Sequence, residues 1–368
     1  MAVETVAGAA PDDAAAGPTL TVVIPTYNRR ERLHRVLVAL GEQRGAGQFE
    51  TVVVSDGSTD GTDEYLASER VPIPLVACRQ ANSGPARARN RGIEAATGEL
   101  VLFLDDDVVP GPDLVREHLA SHRRLGDRAV VIGPMLNPPD HDMSVWVEYE
   151  QAMLAKQYEA MERGDWSATA RQFYTGNASL RRAHLIASGG FDTELRRAED
   201  IELALRLASM GLEFAYVPEA AGLHYAERSF ESWRQIARAY GRNDVHFSRE
   251  PEHADVLRFV LDHYGRRNLL IRAVVRLAAG RPAVTRAVDR ALLATASQGE
   301  SVGGGRLSRA ALSGIYNLEY YTGVIEALGG RREFWRARRR LVILPRVRWV
   351  FDRCRELPGM PSRTGRSA

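Results

Sequence analysis

Three carboxylates in a row, Asp105-Asp106-Asp107, follow the apolar run Leu100 to Leu104. Adjacent carboxylates repel one another and favour a partner cation. Side chains alternate along an extended chain, so only some of the three can converge on one ligand. Hard oxygen donors suit Mg²⁺ or Mn²⁺, which proteins hold with one or two carboxylates plus a substrate's phosphates. The bland alternative is a solvated acidic turn before Pro110. The fully apolar run ahead of the triplet weighs against it. A further carboxylate, Asp56, closes the run Thr51 to Val54 within Ser55-Asp56-Gly57-Ser58. It suits an Asx-turn or helix cap as well as a ligand contact. Tyr27 and Arg29 follow the run Leu20 to Ile24. They have the types to stack on and pair with a base, or simply to frame a helix start.

A second acidic group, Glu199, Asp200 and Glu202, sits at an expected helix start. Acidic residues there complement the helix dipole. One of them has equally the chemistry of a general base, which a hydroxyl nucleophile needs as it attacks. Gly189-Gly190-Phe191-Asp192 reads as a turn that would bring this helix start toward a cleft. His224 is either a third metal ligand through a neutral imidazole or a structural histidine. No Ser-His-Asp ordering and no nucleophilic cysteine stands out. A G-x-G-x-x-G fingerprint and a P-loop are both missing, so dinucleotide binding of the Rossmann kind and NTPase activity lack their signatures.

The elements that must position these residues follow from hydrophobic patterning. Leu20 to Ile24, Thr51 to Val54, Leu75 to Ala77, Leu100 to Leu104 and Ala129 to Ile132 read as buried strands. Helical segments separate them, one opening at Ser83-Gly84-Pro85 as cap and first turn. Asp60 suits the cap of another. Strands alternating with helices predict an α/β fold, a mostly parallel sheet with helices on both faces. Ligands bind such sheets at the carboxyl ends of strands. Those ends carry Tyr27-Asn28-Arg29, Asp56 and the Asp triplet. Further on, 144–172 reads as helix, Phe173 to Leu180 as extended, Glu199 to Met210 as helix, Phe214 to Val217 as strand and Phe230 to Phe247 as helix. Beyond Pro251 nearly everything reads as helix, broken near Gly280 to Pro282 and Ser301 to Gly305.

Composition bounds the class. The chain has 368 residues, 45% hydrophobic and 26% charged, as expected of a soluble globular protein. No apolar run approaches the roughly 18 residues of a membrane-spanning helix. Cys78 and Cys354 lie far apart, which argues against a disulfide framework or a cysteine zinc site. Residues 1–18 have no basic start and no apolar core, so they read as a disordered tail rather than a secretory signal. A cytoplasmic protein is expected. The net charge of +2 hides a split. Residues 251–368 hold 22 basic against 10 acidic side chains, a surplus of 12, leaving 1–250 at −10. The expected organisation is a tail over 1–18, a catalytic domain over 19–250 and a basic helical region over 251–368.

The order of motifs resembles the family-2 inverting glycosyltransferases of the GT-A fold. The matching segments are Val23-Ile24-Pro25-Thr26-Tyr27-Asn28-Arg29, Val54-Ser55-Asp56-Gly57-Ser58-Thr59-Asp60 and Asn82-Ser83-Gly84-Pro85-Ala86-Arg87-Ala88-Arg89-Asn90-Arg91-Gly92. Leu104-Asp105-Asp106-Asp107, Gly176-Asn177-Ala178, Gly189-Gly190-Phe191-Asp192, Glu199-Asp200-Ile201-Glu202-Leu203 and the stretch from Val217-Pro218 to His224 complete the set. Together they cover about residues 19–228. The resemblance implies transfer of a sugar from a nucleotide-diphosphate sugar to an acceptor hydroxyl. Pro25, Thr26, Tyr27 and Arg29 would line the nucleotide-sugar site, with Gly84 and Arg89 nearby. Asp56 would accept a hydrogen bond from the base, favouring uracil or thymine. Asp106 would bind the ribose, Asp107 the divalent metal (Mn²⁺ or Mg²⁺), and Asp105 would support the turn. Asp200 would be the general base, with Glu199 in reserve. His224 matches a position that ligates metal in some relatives. One carboxylate suffices for a single inverting displacement, whereas a retaining double displacement also needs a nucleophile.

Two other activities compete. A sugar-nucleotide pyrophosphorylase should show a Gly-rich basic loop after its first strand, where this chain has Pro-Thr-Tyr-Asn-Arg. A non-catalytic sugar-nucleotide binder would not need both the Asp triplet and Glu199-Asp200. No nucleic-acid motif accompanies the basic region. Residues 331–355 interleave arginines with Phe334, Trp335, Trp349 and Phe351, a composition suited to an anionic membrane surface or to a packed helix with a solvated face. Peripheral contact at the inner face of the membrane would suit a lipid-linked acceptor. Polysaccharides and small molecules are the other acceptor classes, in cell-envelope glycan or glycosylated-metabolite synthesis.

Overall fold

The apolar runs become strands buried on both faces. A computed structural model of the chain describes residues 19–195, 197–249, 255–301 and 305–343. The expected tail over 1–18 and Cys354 lie outside them. Along the first part of the chain run β1 (Leu20–Thr26), α1 (Arg30–Gly41), β2 (Glu50–Asp56), α2 (Thr62–Leu66), β3 (Val76–Gln80), α3 (Pro85–Ala95) and β4 (Leu100–Leu104). Next come β5 (Val108–Pro110), α4 (Leu114–Leu125), β6 (Ala129–Ile132), β7 (Met135–Leu136), α5 (Val145–Glu162) and β8 (Asn177–Arg181). α6 (Arg182–Ala187), α7 (Glu199–Ser209), β9 (Glu213–Tyr216) and β10 (Gly222–His224) complete this part.

The main sheet has the order β3-β2-β1-β4-β8-β6-β9. Alternation along the strands divides their apolar residues between two cores. Val23, Val52, Val54, Val101 and Phe103 join one of them with Ala88 of α3 and Leu203 of α7. Val22, Ile24, Val53, Leu102 and Leu104 join the other with Leu37 of α1 and Leu119 of α4. The expected parallel pairing holds from β3 through β4 and between β6 and β9, while β8 runs antiparallel to both β4 and β6. Strand order reverses around β1, which lies between β2 and β4. That is the switch point where open α/β sheets bind ligands. A second sheet, β5-β10-β7, has no counterpart in the sequence reading. Its strands of two or three residues are too short to carry a period. Pairing of His224 with Val108 brings the histidine beside the Asp triplet.

Two compact units divide the chain, Met1–Arg228 and Ser229–Ala368. The second contains α8 (Phe230–Phe247), α9 (Asp255–Arg266), α10 (Leu269–Ala278), α11 (Pro282–Ser301), α12 (Gly305–Ala327) and α13 (Arg331–Arg338). Sequence patterning alone groups α8 with the catalytic part, with a boundary at 250. In the structure α8 packs on α12 instead. Gly241 and Gly323 allow this crossing, since a Cβ on either would lie about 2 Å from a carbonyl oxygen of the facing helix. Glu319 of α12 pairs with Arg234 and Arg238 of α8 across the same contact. Part of the expected membrane segment 331–355 is also committed elsewhere. Phe334 is buried against Tyr264 and Tyr321, and Trp335 packs on Tyr264. Residues 344–355 lie outside the described residues. No helix among the described residues is long and apolar enough to cross a membrane.

Candidate functional site

The Asp triplet does meet cations, and they are arginines. Asp106, buried at the end of β4, accepts hydrogen bonds from Thr26 Oγ1 at 2.7 Å and Arg29 Nη1 at 2.8 Å. Both donors come from the carboxyl end of β1, the neighbouring strand. Arg29 Nη1 also donates to Asp107 Oδ2 at 2.9 Å, with Arg32 Nη1 3.8 Å from the same oxygen. The third carboxylate, Asp105, accepts from Arg89 Nη2 at 2.9 Å. Burial pushes Asp106 up to about 6, against the pull of Arg29. The turn itself is held by the backbone. Asp105 N donates to Gly176 O, Val108 N to Asp105 O, and Tyr225 N to Asp107 O. A Cβ on Gly176 would lie 3.0 Å from Asp105 Oδ2 and 2.5 Å from Met135 Sδ, so glycine is what fits there.

Arg89 links the triplet to the second acidic group. Its Nη1 donates to Glu199 Oε1 at 2.8 Å while Nη2 holds Asp105. The Arg89 and Glu199 side chains are only 7% and 10% exposed. Asp200, the next residue, is half-buried, and its Oδ1 accepts from the N–H of Ile201. Crowding by surrounding protein, then the charge of Glu199, pushes Asp200 up to about 7, with Arg89 opposing. A carboxyl group raised to that range can accept a proton near neutrality. The preceding residue, Ala198, caps α7 at φ 59°, a left-handed conformation costly for a residue with a Cβ. Replacing Arg89 would leave two carboxylates facing each other without their shared cation. Arg89→Met is expected to lower unfolding free energy by about 3 kcal/mol, read as a shift in the urea midpoint. An unchanged midpoint would show that the bridge bears no structural load.

Asp56 ends β2, beside β1, and fastens the end of β3 and the loop that leads from it into α3. Oδ1 accepts from Gln80 Nε2 and Ser83 N, and Oδ2 from Gly84 N. A carboxylate offers about four acceptor sites, so one remains on Oδ2. Gly84, at φ 93°, is the cap of α3, and Pro85 follows at its first position. Asp60 accepts from Arg30 N and from Thr62 N, joining the first turns of α1 and α2. Asn28 Oδ1 accepts from Thr59 N, fastening the loop after β1 to the loop after β2. Tyr27 on that loop is 48% exposed and free to stack. Pro25 stays within the β1 ladder opposite Val54.

His224 is buried with Nε2 3.6 Å from Asp107 Oδ1. Its Nδ1 lies 2.8 Å from the amide Nε2 of Gln151, whose Oε1 has no hydrogen-bond partner. Turning the amide over would let that orphaned oxygen accept Nδ1–H and leave Nε2 as a lone pair facing Asp107. An oxygen and a nitrogen converging at this separation fit a divalent ion whose other ligands come from a diphosphate. No cluster of three or more His, Cys, Asp or Glu side chains suited to metal occurs among the described residues. Arg32 and Gln151 were not singled out from sequence. Arg32 lies three residues beyond Arg29 at the start of α1, a spacing that shares a helix face. Gln151 carries no local signal.

Of the expected residues, the structure joins Thr26, Arg29, Asp106, Asp107 and His224 in one cluster. Asp105, Arg89, Glu199 and Asp200 form the adjoining one. Asp56 and Tyr27 sit on neighbouring strand ends, and Gly84 caps α3.

Comparison with known proteins supplies context for this arrangement. Residues 21–189 match the family described as Glycosyl transferase family 2. Over 242 residues the chain is 34% identical to a validoxylamine A glucosyltransferase of Streptomyces hygroscopicus subsp. limoneus, covering 58% of this chain and 53% of that protein. It is 28% identical to the amylovoran biosynthesis glycosyltransferase AmsB of Erwinia amylovora, covering 58% and 72%. For three of its curated relatives the chain spans only 53% to 64% of the relative's own length. Among solved structures, the mannosyltransferase PcManGT of Pyrobaculum calidifontis, in complex with GDP-Man and Mn²⁺, superposes with a TM-score of 0.54 at 22% identity. The match covers 87% of this chain and 89% of that one.

Proposed function

We propose, from the premise that residues 21–189 belong to glycosyl transferase family 2 on a GT-A fold, that this chain is a metal-dependent inverting glycosyltransferase. It moves a sugar from a nucleotide-diphosphate donor, UDP- or dTDP-linked, to an acceptor hydroxyl. One observation carries the reading. At the switch point of the sheet, the Asp105–Asp107 turn meets Thr26 and Arg29 from β1 on one side, and Arg89 connects it to Glu199 beside Asp200 on the other. A donor site and a base site thus share one turn.

Each residue then has a task its geometry supports. Tyr27 stacks on the base, and the spare acceptor of Asp56 takes its ring N–H. Asp106, already fixed by Thr26, takes a ribose hydroxyl. Arg29 and Arg32 are free to trade their carboxylate partners for phosphate oxygens, since both are charge-assisted donors. Asp107 and His224 would hold the metal, which when bound supplies Lewis-acid neutralisation of the departing diphosphate. Asp200 takes the acceptor's proton during attack from the face opposite the leaving group. Acceptors of three classes fit this chemistry: lipid-linked sugars, polysaccharides and small molecules. The family relationship does not choose among them.

Calorimetry with UDP, dTDP and CDP, each with and without Mn²⁺, tests the donor side. UDP or dTDP should bind about tenfold more tightly than CDP, whose ring N3 carries no hydrogen for Asp56; that is the worth of one charge-assisted hydrogen bond. Absence of binding by all three would sink the reading.

A further inference from the structure

The helical unit carries a surface that the transfer chemistry leaves unused. α10 buries Ile271, Val275 and Ala278 and turns its other side outward. Leu269 is 77% exposed, Leu270 71% and Leu277 64%. With exposed Ala273 these residues fall within an arc of about 100° on the helix. Single exposed leucines are ordinary, but a contiguous ridge on one helix marks an interaction site.

Positive charge crowds the same helix. Arg272 and Arg276 flank the ridge on α10, Arg281 follows its carboxyl end, and Arg331 donates to the carbonyl oxygens of Arg276 and Ala279 there. Among the described residues none of the four has a carboxylate within ion-pair distance. Arg276 lies over the Trp335 ring instead, 5.4 Å from its centroid. Burial, together with repulsion from Arg281 and Arg276, draws Arg331 below its ordinary value. This is uncompensated charge awaiting an anion.

We propose that the outer face of α10 docks on an anionic lipid bilayer, with Leu269, Leu270 and Leu277 entering the boundary between headgroups and acyl chains. Arg272, Arg276, Arg281 and Arg331 hold lipid phosphates at the rim of that contact. Leucines beside guanidiniums suit such an interface on both counts. A second copy of the chain fits less well, because a two-fold contact through this face would set arginines against arginines. The chain's own residues 344–368 fit less well for the same reason, with Arg346, Arg348, Arg353, Arg355, Arg363 and Arg366 against Asp352 and Glu356.

The test is co-sedimentation of the full-length protein with phosphatidylcholine vesicles, with and without phosphatidylglycerol, at low and high salt. Wild type should bind the anionic vesicles at low salt and lose them at high salt. The triple variant Leu269→Gln, Leu270→Gln, Leu277→Gln and the double variant Arg276→Gln, Arg281→Gln should each bind about tenfold or more weakly. Melting curves should confirm that both fold, the leucines being exposed already. UDP binding by the same variants reports separately on the donor site. Equal binding to neutral vesicles overturns the proposal, as does a leucine variant that binds like wild type. A leucine variant that keeps vesicle binding but dissociates from dimer to monomer in sedimentation assigns the ridge to a second copy.

Discussion

Asp200→Asn is expected to lower the turnover number about a thousandfold, a typical loss for removing a general base, while UDP affinity stays within about twofold of wild type. The asymmetry follows from where the residue sits. Asp200 opens α7, on the far side of Arg89 from the carboxylates that Thr26 and Arg29 hold. Asparagine keeps the volume and can still accept the hydrogen bond from Ile201 N–H, so α7 should start as before. What it cannot do is take a proton. The pH profile adds a second reading. With Asp200 pushed up to about 7 by crowding and by Glu199, the residue is protonated and useless as a base below that pH. It is ionised and competent above it. Wild-type turnover should therefore rise through pH 7 with the slope of one proton, and the residual rate of Asp200→Asn should lack that rise. A variant with full activity would move the role elsewhere. Glu199→Gln serves as the contrast, since it breaks the pair with Arg89 and should show first in stability.

That profile depends on a constellation only partly visible in the primary structure. β1, β2 and β4 were legible because burial on both faces makes a strand an unbroken apolar run, and such runs end where polar residues begin. The three strand ends that hold Arg29, Asp56 and Asp106 were legible for the same reason. α7 was legible through its acidic first turn and apolar spacing. The β5-β10-β7 sheet was not, so the approach of His224 to Asp107 through pairing with Val108 could not be derived from spacing. Sequence distance also concealed the partners. Asp105 and Arg89 are separated by a strand and a loop, and Glu199 lies 110 residues from Arg89. Like-charge repulsion in the triplet calls for cations, and spacing alone points to a metal without revealing the arginines. In the structure, guanidiniums from α1, α3 and the loop after β1 stand against all three carboxylates. α8 reads as an ordinary amphipathic helix wherever it is placed. Only its crossing with α12 at Gly241 and Gly323 shows which unit it stabilises.

The guanidiniums around the triplet lead to the second large effect. Asp107 faces Arg29 and Arg32 through Oδ2 and His224 through Oδ1. A diphosphate entering here adds negative charge beside carboxylates that are already charged, and two arginines cannot serve both at once. Once Arg29 and Arg32 turn to phosphate, Asp107 and His224 need another cation between them. Mn²⁺ should therefore strengthen UDP binding to wild type by about tenfold or more, some 1.4 kcal/mol, and a chelator should remove the gain. In Asp107→Ala that metal-linked gain should vanish. Its metal-free affinity, however, should equal or exceed that of wild type, because Arg29 and Arg32 lose the carboxylate that competes with phosphate for them. A variant that merely unfolded the site would lose both components, so the two readings separate specific loss of a ligand from collapse. Retention of the full Mn²⁺ effect without Asp107 would remove the residue from the metal site and leave it as the counter-ion of Arg29.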